Sequence, residues 1–320
     1  MLNKHFLIFI LSFIYSINSW SQQKDYAFKI IPLGVKGGDD ESNLSSYMLA
    51  PFGSDQFICL DAGTLNAGIQ QAIDRKTLKG SSEDIQRKQI KGYLISHAHL
   101  DHVAGLILNS PADTAKNIYG LSAVLTVLKN NYFTWDAWAN FGNEGEKPQL
   151  KKYTYTPLEE GVIYPLAGTE MNVRAFELSH GKPYKSTAFL VQAKDNYVLY
   201  LGDTGADKIE KSDRLARLWQ TVAPLIEAGK LKAIFLEVSF PNEQPEHQLF
   251  GHLTPDLFFN ELGKLQQLTT PQAMSKVSVI VTHMKPPLKK MLKIKQELKI
   301  LNTPGWKLVF PAQGRLLTIN

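Results

Sequence analysis

Short apolar runs and amphipathic stretches alternate along the chain from about residue 26 to its end. Runs rich in β-branched and aromatic residues predict strands, and stretches with apolar residues every three or four positions predict helices. The predicted strands span residues 26–33, 45–49, 56–60, 91–96, 170–178, 187–193, 197–201, 233–236 and 277–281. The predicted helices span residues 64–77, 212–228 and 254–268, with one opening at 103–108 and a last one carrying Met291, Ile294, Leu298 and Leu301 on one face. This alternation predicts one α/β domain, in which two mixed sheets pack face to face with helices outside.

The start of the chain has the composition of a secretory signal peptide. Lys4 supplies a positive charge, Phe6–Tyr15 is an almost unbroken apolar run, and the small residues of Ser19–Ser21 precede a polar stretch. A membrane anchor is the alternative, but the apolar run is shorter than the roughly 20 residues that span a bilayer. We therefore predict a signal peptide over residues 1–21, cleaved after Ser21. The mature domain, residues 22–320, would be exported across the inner membrane to the periplasm and would not remain bound to the membrane.

Composition places the mature chain among ordinary globular proteins. Apolar residues make up 44% of the sequence, which is enough for a sizeable core. The formal net charge of +5 is too small to indicate a nucleic-acid partner, although it suits a small anionic substrate. Cys59 is the only cysteine, so the chain forms no internal disulfide. Its apolar neighbours in the run 57–60 predict a buried and unreactive thiol.

A cluster of metal-binding residue types directly follows the predicted strand 91–96. It reads His97-Ala98-His99-Leu100-Asp101-His102, and imidazole and carboxylate groups are the ligands that zinc and related divalent ions favour. In an extended chain the side chains of His97 and His99 point to the same side. Asp101 and His102 are adjacent, so we expect them to point in different directions. This arrangement suits two metal ions better than one.

Three further ligand candidates occupy a similar place in the predicted fold. His180, Asp203 and His283 each lie just beyond the end of a predicted strand. An isolated histidine at such a position is usually a surface residue or a hydrogen-bonded core residue. Because the same placement recurs, we expect these side chains to meet at one edge of the sheets, where a rigid scaffold can hold a metal site.

This ordered set of residues resembles the ligand pattern of the metallo-β-lactamase superfamily. The resemblance spans nearly the whole mature chain and implies a four-layer αβ/βα sandwich with a dinuclear metal site at one edge of the two sheets. It also implies a division of the ligands between two metal ions. One ion would be bound by His97, His99 and His180, and the other by Asp101, His102 and His283, with Asp203 bridging the two.

Asp61 ends the predicted strand 56–60 in the sequence Asp61-Ala62-Gly63, and this Asp-x-Gly also resembles the superfamily. The resemblance implies that Asp61 orients one of the ligand histidines from behind. The alternative is a turn residue beside Gly63, since aspartate and glycine are common in turns.

Longer segments resemble one family within that superfamily. The run from His97 to Pro111 is similar throughout to the signature of class II cyclic-nucleotide phosphodiesterases, whereas lactamases and lactonases share the ligands but not the residues that follow. Segments 200–205, 251–255 and 282–286 are similar to the same family. The resemblance implies a hydrolase that converts 3′,5′-cyclic nucleotides to 5′-monophosphates, with cyclic AMP as the first candidate and cyclic GMP as the second. Two divalent metal ions, zinc by preference and manganese or iron as alternatives, would supply a hydroxide that attacks phosphorus.

His252 and Glu237 are the candidates for proton transfer to the leaving group. Their surroundings resemble the paired glutamate and histidine of the tRNA 3′-processing endonucleases in the same superfamily. The resemblance implies that Glu237 holds the His252 imidazole and favours its protonated form, so that His252 acts as the general acid. The alternative is a structural histidine that caps the helix beginning at Thr254.

Two residues are candidates for substrate contact. Trp138 belongs to an aromatic segment from Tyr132 to Phe141, where a purine could stack. A helix packed on the core, or a homodimer contact, explains that segment slightly better, and the segment lacks a proline that the family has there. Lys285 follows the ligand candidate His283 and could meet the phosphate.

Two other functions remain open at the level of sequence. The scaffold would also suit a nuclease or a lactonase, which a panel of cyclic nucleotides, lactones and short RNAs would separate from a phosphodiesterase. A metal-dependent protein that binds cyclic nucleotides without hydrolysing them is the second alternative, although the complete ligand set gives it no support. Catalysis should depend on Asp101, because a ligand of the second ion is essential only where two ions act together.

Overall fold

The computed structural model describes residues 26–320, so the predicted signal peptide and its cleavage site lie outside the described residues. The strands are β1 Phe28–Gly34, β2 Ser46–Pro51, β3 Phe57–Leu60, β4 Ile90–Leu94, β5 Lys116–Leu121, β6 Tyr153–Leu158, β7 Tyr164–Leu166, β8 Met171–Ser179, β9 Lys185–Ala193, β10 Asn196–Leu201, β11 Leu231–Glu237, β12 Ser278–Thr282, β13 Lys307–Val309 and β14 Leu317–Ile319. The α-helices are α1 Asn66–Asp74, α2 Ser82–Asp84, α3 Leu100–Asn109, α4 Ser122–Val127, α5 Asp207–Glu210, α6 Arg214–Glu227, α7 Pro255–Gln267, α8 Pro271–Met274 and α9 Leu288–Leu301. Within this part of the chain, no helix combines the length and the apolar character needed to cross a membrane.

The strands form two mixed sheets of seven strands each. The first sheet has the order β14-β1-β2-β3-β4-β5-β6, and the second has the order β13-β12-β11-β10-β9-β8-β7. Strands pair antiparallel from β14 to β3 and from β7 to β10. They pair parallel from β3 to β6 and from β10 to β13. Each half of the chain thus builds a sheet of the same design, and β14 returns from the second half to the edge of the first.

The two sheets pack face to face and carry helices on their outer faces. Between the sheets, the Tyr47 ring of β2 meets the Phe235 ring of β11 at a centroid distance of 5.2 Å. Ile69 of α1 and Leu106 of α3 are buried against the first sheet, and Trp219 of α6 is buried against the second. The four-layer sandwich predicted from the sequence is therefore confirmed.

The sequence pattern missed five of these strands. Three of them, β5, β6 and β7, lie within residues 116–166, where the sequence pattern predicts no strand. The last two, β13 and β14, have three residues each and form the outer edges of the sheets. The predicted helix opening at 103 also begins earlier, at Leu100, so that Asp101 and His102 lie in its first turn.

The strand directions bring the chemically important segments to one edge of the sandwich. β3 and β4 run parallel, so Asp61 and His97 follow strand ends on the same side. In the second sheet β10, β11 and β12 also run parallel, and Asp203 and His283 follow two of these strands. Side chains that are far apart in the sequence therefore meet where these strands end.

Cys59 gives a test of the packing in the first sheet. Its side chain is fully buried, and burial raises the pKa of the thiol well above its ordinary value. Because the thiolate is the reactive form, we expect no alkylation by iodoacetamide at pH 8 in the native protein and complete alkylation in denaturant, as measured by mass spectrometry. Rapid alkylation of the native protein would contradict the described packing.

Candidate metal centre

The three-histidine group consists of His97, His99 and His180. His97 Nε2 lies 3.1 Å from His99 Nδ1, and His180 Nε2 lies 3.3 Å from the same atom. His97 and His99 follow β4 of the first sheet, whereas His180 follows β8 of the second. The group therefore joins the two sheets, and its donor atoms all lie within 4.8 Å of one another.

The Asp101 group consists of Asp101, His102, Asp203 and His283. His283 Nε2 lies 3.1 Å from Asp101 Oδ2 and 3.1 Å from His102 Nε2. The expectation that Asp101 and His102 diverge is therefore wrong: in the first turn of α3 both side chains reach His283. Each of the two groups has the composition of a metal site, and the division of the ligands between two ions stays a prediction.

Asp203 connects the two groups. Its Oδ1 lies 3.3 Å from His102 Nε2, and its Oδ2 lies 3.1 Å from His283 Nε2. The same Oδ2 lies 3.7 Å from His97 Nε2 and 3.8 Å from His180 Nε2. A carboxylate in this position can contribute to both sets of donors, as expected of a bridging ligand.

Hydrogen bonds behind the imidazoles fix which nitrogen of each ring faces the centre. His180 Nδ1 lies 2.9 Å from the carbonyl oxygen of Gly251, which can only accept, so Nδ1 carries the proton and Nε2 presents its lone pair. His102 Nδ1 lies 2.7 Å from Asp61 Oδ2, and His283 Nδ1 lies 2.9 Å from Ser239 Oγ. Ring nitrogens of these histidines thus approach one another to about 3 Å across the centre. Such a set of donors fits a divalent cation between them.

Asp61 occupies the predicted supporting position. The carboxylate is fully buried and accepts hydrogen bonds from the Ser96 backbone N–H, the Ser96 hydroxyl, the Tyr200 hydroxyl and His102 Nδ1, all at 2.6–2.7 Å. Its φ of 54° turns the backbone sharply where β3 ends. The residue therefore does more than form a turn, because it links β3, β4 and β10 directly behind a ligand histidine.

The electrostatics of the centre favour a positive charge. Burial alone would lower the pKa of His102, but Asp203, Asp61 and Asp101 together raise it well above its ordinary value. Burial lowers the pKa of His97 and lowers that of His180 to about 4, so these two imidazoles remain neutral donors at neutral pH. Three carboxylates around one imidazole create a field that a bound cation would neutralise.

Glu237 and His252 form a buried pair beside the metal ligands. Glu237 Oε1 lies 2.7 Å from His252 Nδ1 and accepts the Thr204 backbone N–H at 3.0 Å. Burial alone would raise the pKa of Glu237, but the His252 imidazole holds it below its ordinary value. His252 Nδ1 is also 3.8 Å from Asp203 Oδ2, so the pair adjoins the centre. With Nδ1 bonded to the carboxylate, Nε2 remains available for a substrate group.

Ser239 is a residue that the sequence prediction missed. Its hydroxyl lies 2.5 Å from Glu237 Oε2, 2.9 Å from His283 Nδ1 and 3.2 Å from His252 Nδ1. Because a hydroxyl donates once and accepts up to twice, it can donate to Glu237 and accept from His283. Ser239 thereby connects the Glu237–His252 pair to His283, a candidate metal ligand. Ser239 lies two residues after the predicted Glu237, but nothing local marks its hydroxyl.

We expect Ser239→Ala to lower kcat/KM by about 10- to 100-fold, the usual range for loss of a group that orients metal ligands. Ser239→Thr, which keeps the hydroxyl, should restore most of the activity. Ser186→Ala is the matched control, since Ser186 is a fully buried serine whose hydroxyl has no hydrogen-bond partner in the described chain. Equal losses in the two alanine variants would show that cavity formation, and not the hydrogen bonds, causes the effect.

A glycine loop between β1 and β2 closes one side of the centre. The Gly38 backbone N–H donates to Asp101 Oδ2 at 2.9 Å. A Cβ atom on Gly37 would lie 2.1 Å from the His283 ring. The sequence predicts only a connecting loop here, between the predicted strands 26–33 and 45–49. Its role at the centre has no local signal, because its contacts are with residues distant in the chain.

The two predicted substrate residues lie in different places. Lys285 follows His283, and its ammonium lies 5.4 Å from the centroid of the Phe240 ring, which in turn packs on His252. Trp138 donates its indole N–H to Ser110 Oγ at 3.0 Å and packs against the core beneath the first sheet. None of its described contacts involves the metal ligands, in agreement with the alternative of core packing.

A family model and curated relatives match this chain over most of its length. The model described as class-II cAMP phosphodiesterases matches residues 82–305. A 3′,5′-cyclic-nucleotide phosphodiesterase of Aliivibrio fischeri is 40% identical over 313 residues, covering 93% of this chain and 94% of the relative. A probable 3′,5′-cyclic-nucleotide phosphodiesterase of Yersinia pestis is 33% identical, covering 94% of this chain and 92% of the relative.

The fold is also found among solved structures. The unliganded yeast PDE1 crystal structure superposes with a TM-score of 0.80 at 24% sequence identity, covering 92% of this chain and 99% of that one. The metallo-β-lactamase-fold protein YhfI of Bacillus subtilis superposes with a TM-score of 0.58 at 16% identity, covering 91% and 99%. Both show the same sandwich architecture.

Proposed function

This chain belongs to the class II cAMP phosphodiesterases, and we propose on that basis that it hydrolyses 3′,5′-cyclic nucleotides to nucleoside 5′-monophosphates at the centre described above. Two divalent ions, with zinc as first choice, are the proposed cofactors, and cyclic AMP is the first candidate substrate. The observation that carries the proposal is the position of Asp203, which contacts ligand histidines of both groups while the Glu237–His252 pair lies beside it. A centre for metal-activated attack and a group for proton donation are thus adjacent.

The two donor groups match what a two-ion hydrolase needs. One ion would be bound by the three-histidine group and the other by the Asp101 group, with Asp203 shared. When bound, divalent cations supply a water of lowered pKa and stabilise the charge that develops on the phosphoryl oxygens. Imidazole and carboxylate donors suit zinc but also admit manganese or iron, so the choice of metal rests on chemistry alone.

The residues of the chain provide the remaining steps. Asp61, Ser239 and the Gly251 carbonyl hold the ligand rings in one orientation. The proposed acid, His252, would donate the proton of Nε2 to the departing ribose 3′ oxygen, and Glu237 would stabilise the imidazolium before that transfer. Lys285, at the side of Phe240 and His252, would offer a positive charge to the phosphate.

The proposal is tested by metal analysis of the mature protein together with hydrolysis of cyclic AMP and cyclic GMP. We expect about two bound metal ions per chain and release of the 5′-monophosphate. Lactones and short RNAs serve as competing substrates in the same assay. Binding of cyclic AMP by the fully metallated protein without any turnover would refute the enzymatic proposal.

We also propose export through the predicted signal peptide. The support is the sequence of residues 1–21, with its charged start, apolar run and small residues before Gln22. N-terminal sequencing of the protein recovered from the periplasm should begin at Gln22. Recovery of the uncleaved chain in the cytoplasm would contradict this proposal.

A further inference from the structure

A cavity of about 380 Å³ opens beside the three-histidine group. It is lined by His97 and His99, and by Ala123 and Val127 of α4, which form what we call the α4 wall. The turn that follows His180 and carries Tyr184 also lines it, as a second wall. Because α4 follows β5 of the first sheet and this turn joins β8 to β9 of the second, the cavity lies where the two sheet edges meet.

The two walls have different but complementary surfaces. The α4 wall presents small aliphatic side chains, whereas the second wall presents an aromatic ring. Tyr184 is 61% exposed, and its ring centroid lies 5.1 Å from that of His99. Its backbone N–H donates to the Gly181 carbonyl at 2.9 Å, which ties it to the turn beside the ligand His180. A slot between an aliphatic face and an aromatic face fits a flat heterocycle.

We infer that this cavity binds the nucleobase of the substrate, with Tyr184 stacking on the base and α4 covering its other face. The inference rests on the proposed function, which places the phosphodiester at the metal ligands. The base and the cyclic phosphate are attached to the same ribose, so the base must enter space that adjoins those ligands. The cavity begins at His97 and His99 and therefore adjoins one of the two donor groups.

The two walls offer few polar groups for hydrogen bonds to a base, so we expect stacking to be the main contribution to recognition. Lys185, at the rim, already pairs with Glu177 at 2.9 Å. The remaining wall residues on α4, Ala123, Val124 and Val127, have no side-chain donor or acceptor. Stacking tolerates any base, because every base has a π-face. We therefore expect changes at Tyr184 to affect cyclic AMP and cyclic GMP to a similar extent.

Steady-state kinetics of Tyr184→Ala test the inference. The KM for cyclic AMP should rise about 10-fold or more, as expected for loss of one base–aromatic stack, while kcat changes by less than about 3-fold. Tyr184→Phe keeps the ring and should keep a KM near that of the wild type. Phe52→Ala is the matched control, because Phe52 is an exposed aromatic residue after β2, at the opposite end of that strand from the metal centre.

A second variant and a second substrate separate the possible outcomes. Ala123→Phe narrows the cavity from the other wall at an exposed position and should also raise the KM for cyclic AMP. A methyl riboside 3′,5′-cyclic phosphate, which has no base, should have similar kinetics with the wild type and both variants. If the wild type hydrolyses cyclic AMP and neither variant changes the KM, the base site is refuted and the phosphodiesterase proposal stands. If the wild type hydrolyses neither substrate, the proposed function itself fails.

Discussion

Asp203→Ala is expected to reduce kcat/KM for cyclic AMP by at least about 10³-fold and to lower the number of bound metal ions. One transition-state contact alone commonly contributes a factor of about 10²–10³, and Asp203 contacts ligands of both groups. Its oxygens lie 3.1–3.8 Å from the ring nitrogens of His102, His283, His97 and His180. Removal of this carboxylate therefore disturbs both sets of donors at once. Metal content by mass spectrometry and initial rates on the same preparation provide the measurement.

The controls separate the loss of a ligand from the loss of the fold. Asp195→Ala removes a carboxylate from the β9–β10 hairpin, where the side chain is 87% exposed, and should leave the rate and the metal content unchanged. Asp203→Asn keeps nearly the same side-chain volume but replaces the carboxylate with a neutral amide, which binds a metal ion more weakly. This variant should also lose most of the activity. Full activity of Asp203→Asn with two metal ions bound would show that the bridging charge is not required.

The candidate metal ligands could be predicted because they follow strands. An apolar run ending in a histidine or aspartate is a local pattern, and parallel strands bring such ends together at one edge. This pattern alone predicts the positions of His180, Asp203 and His283. The order of the elements then defined the sandwich, since two comparable halves of alternating strands and helices have few ways to bury their apolar faces.

The supporting contacts could not be predicted in the same way, because they join residues far apart in the chain. Ser239 reaches His283 across 44 residues, and Gly38 reaches Asp101 across 63. Serine and glycine are common in loops, so neither had a local signal for its role. Tyr184 likewise follows His180 closely but gains its proposed function only from α4 on the other sheet.

The strands that the sequence pattern failed to predict have a similar explanation. β13 and β14 are only three residues long, and their positions depend on pairing with neighbours rather than on a pattern of their own. β6 did carry a usable signal, because Tyr153-Thr154-Tyr155-Thr156 alternates aromatic and polar residues. Its Pro157 is tolerated because β6 lies at the outer edge of the first sheet.

His252→Ala is expected to lower kcat for cyclic AMP by about 10²–10⁴-fold while both metal ions remain bound, because a positioned general acid contributes a factor of this size. The acid is needed only when the leaving group is a poor one, such as the 3′ alkoxide of ribose. Bis(p-nitrophenyl) phosphate releases a stabilised phenolate, so His252→Ala should slow its hydrolysis by less than about 10-fold. Rates for both substrates and metal content on the same preparations provide the measurement.

Glu237→Gln tests the partner in the acid pair and should show the same dependence on the leaving group, with a smaller loss. The competing assignment is His252 as a metal ligand, since its imidazole also lies within 4.8 Å of donor atoms of His180 and Asp203. As a ligand, its removal would slow both substrates equally and release metal. If His252 is the acid, its removal leaves both ions in place and mainly slows the substrate with the poor leaving group. The phenolate leaving group needs no proton from His252, so hydrolysis of that substrate continues at nearly the same rate.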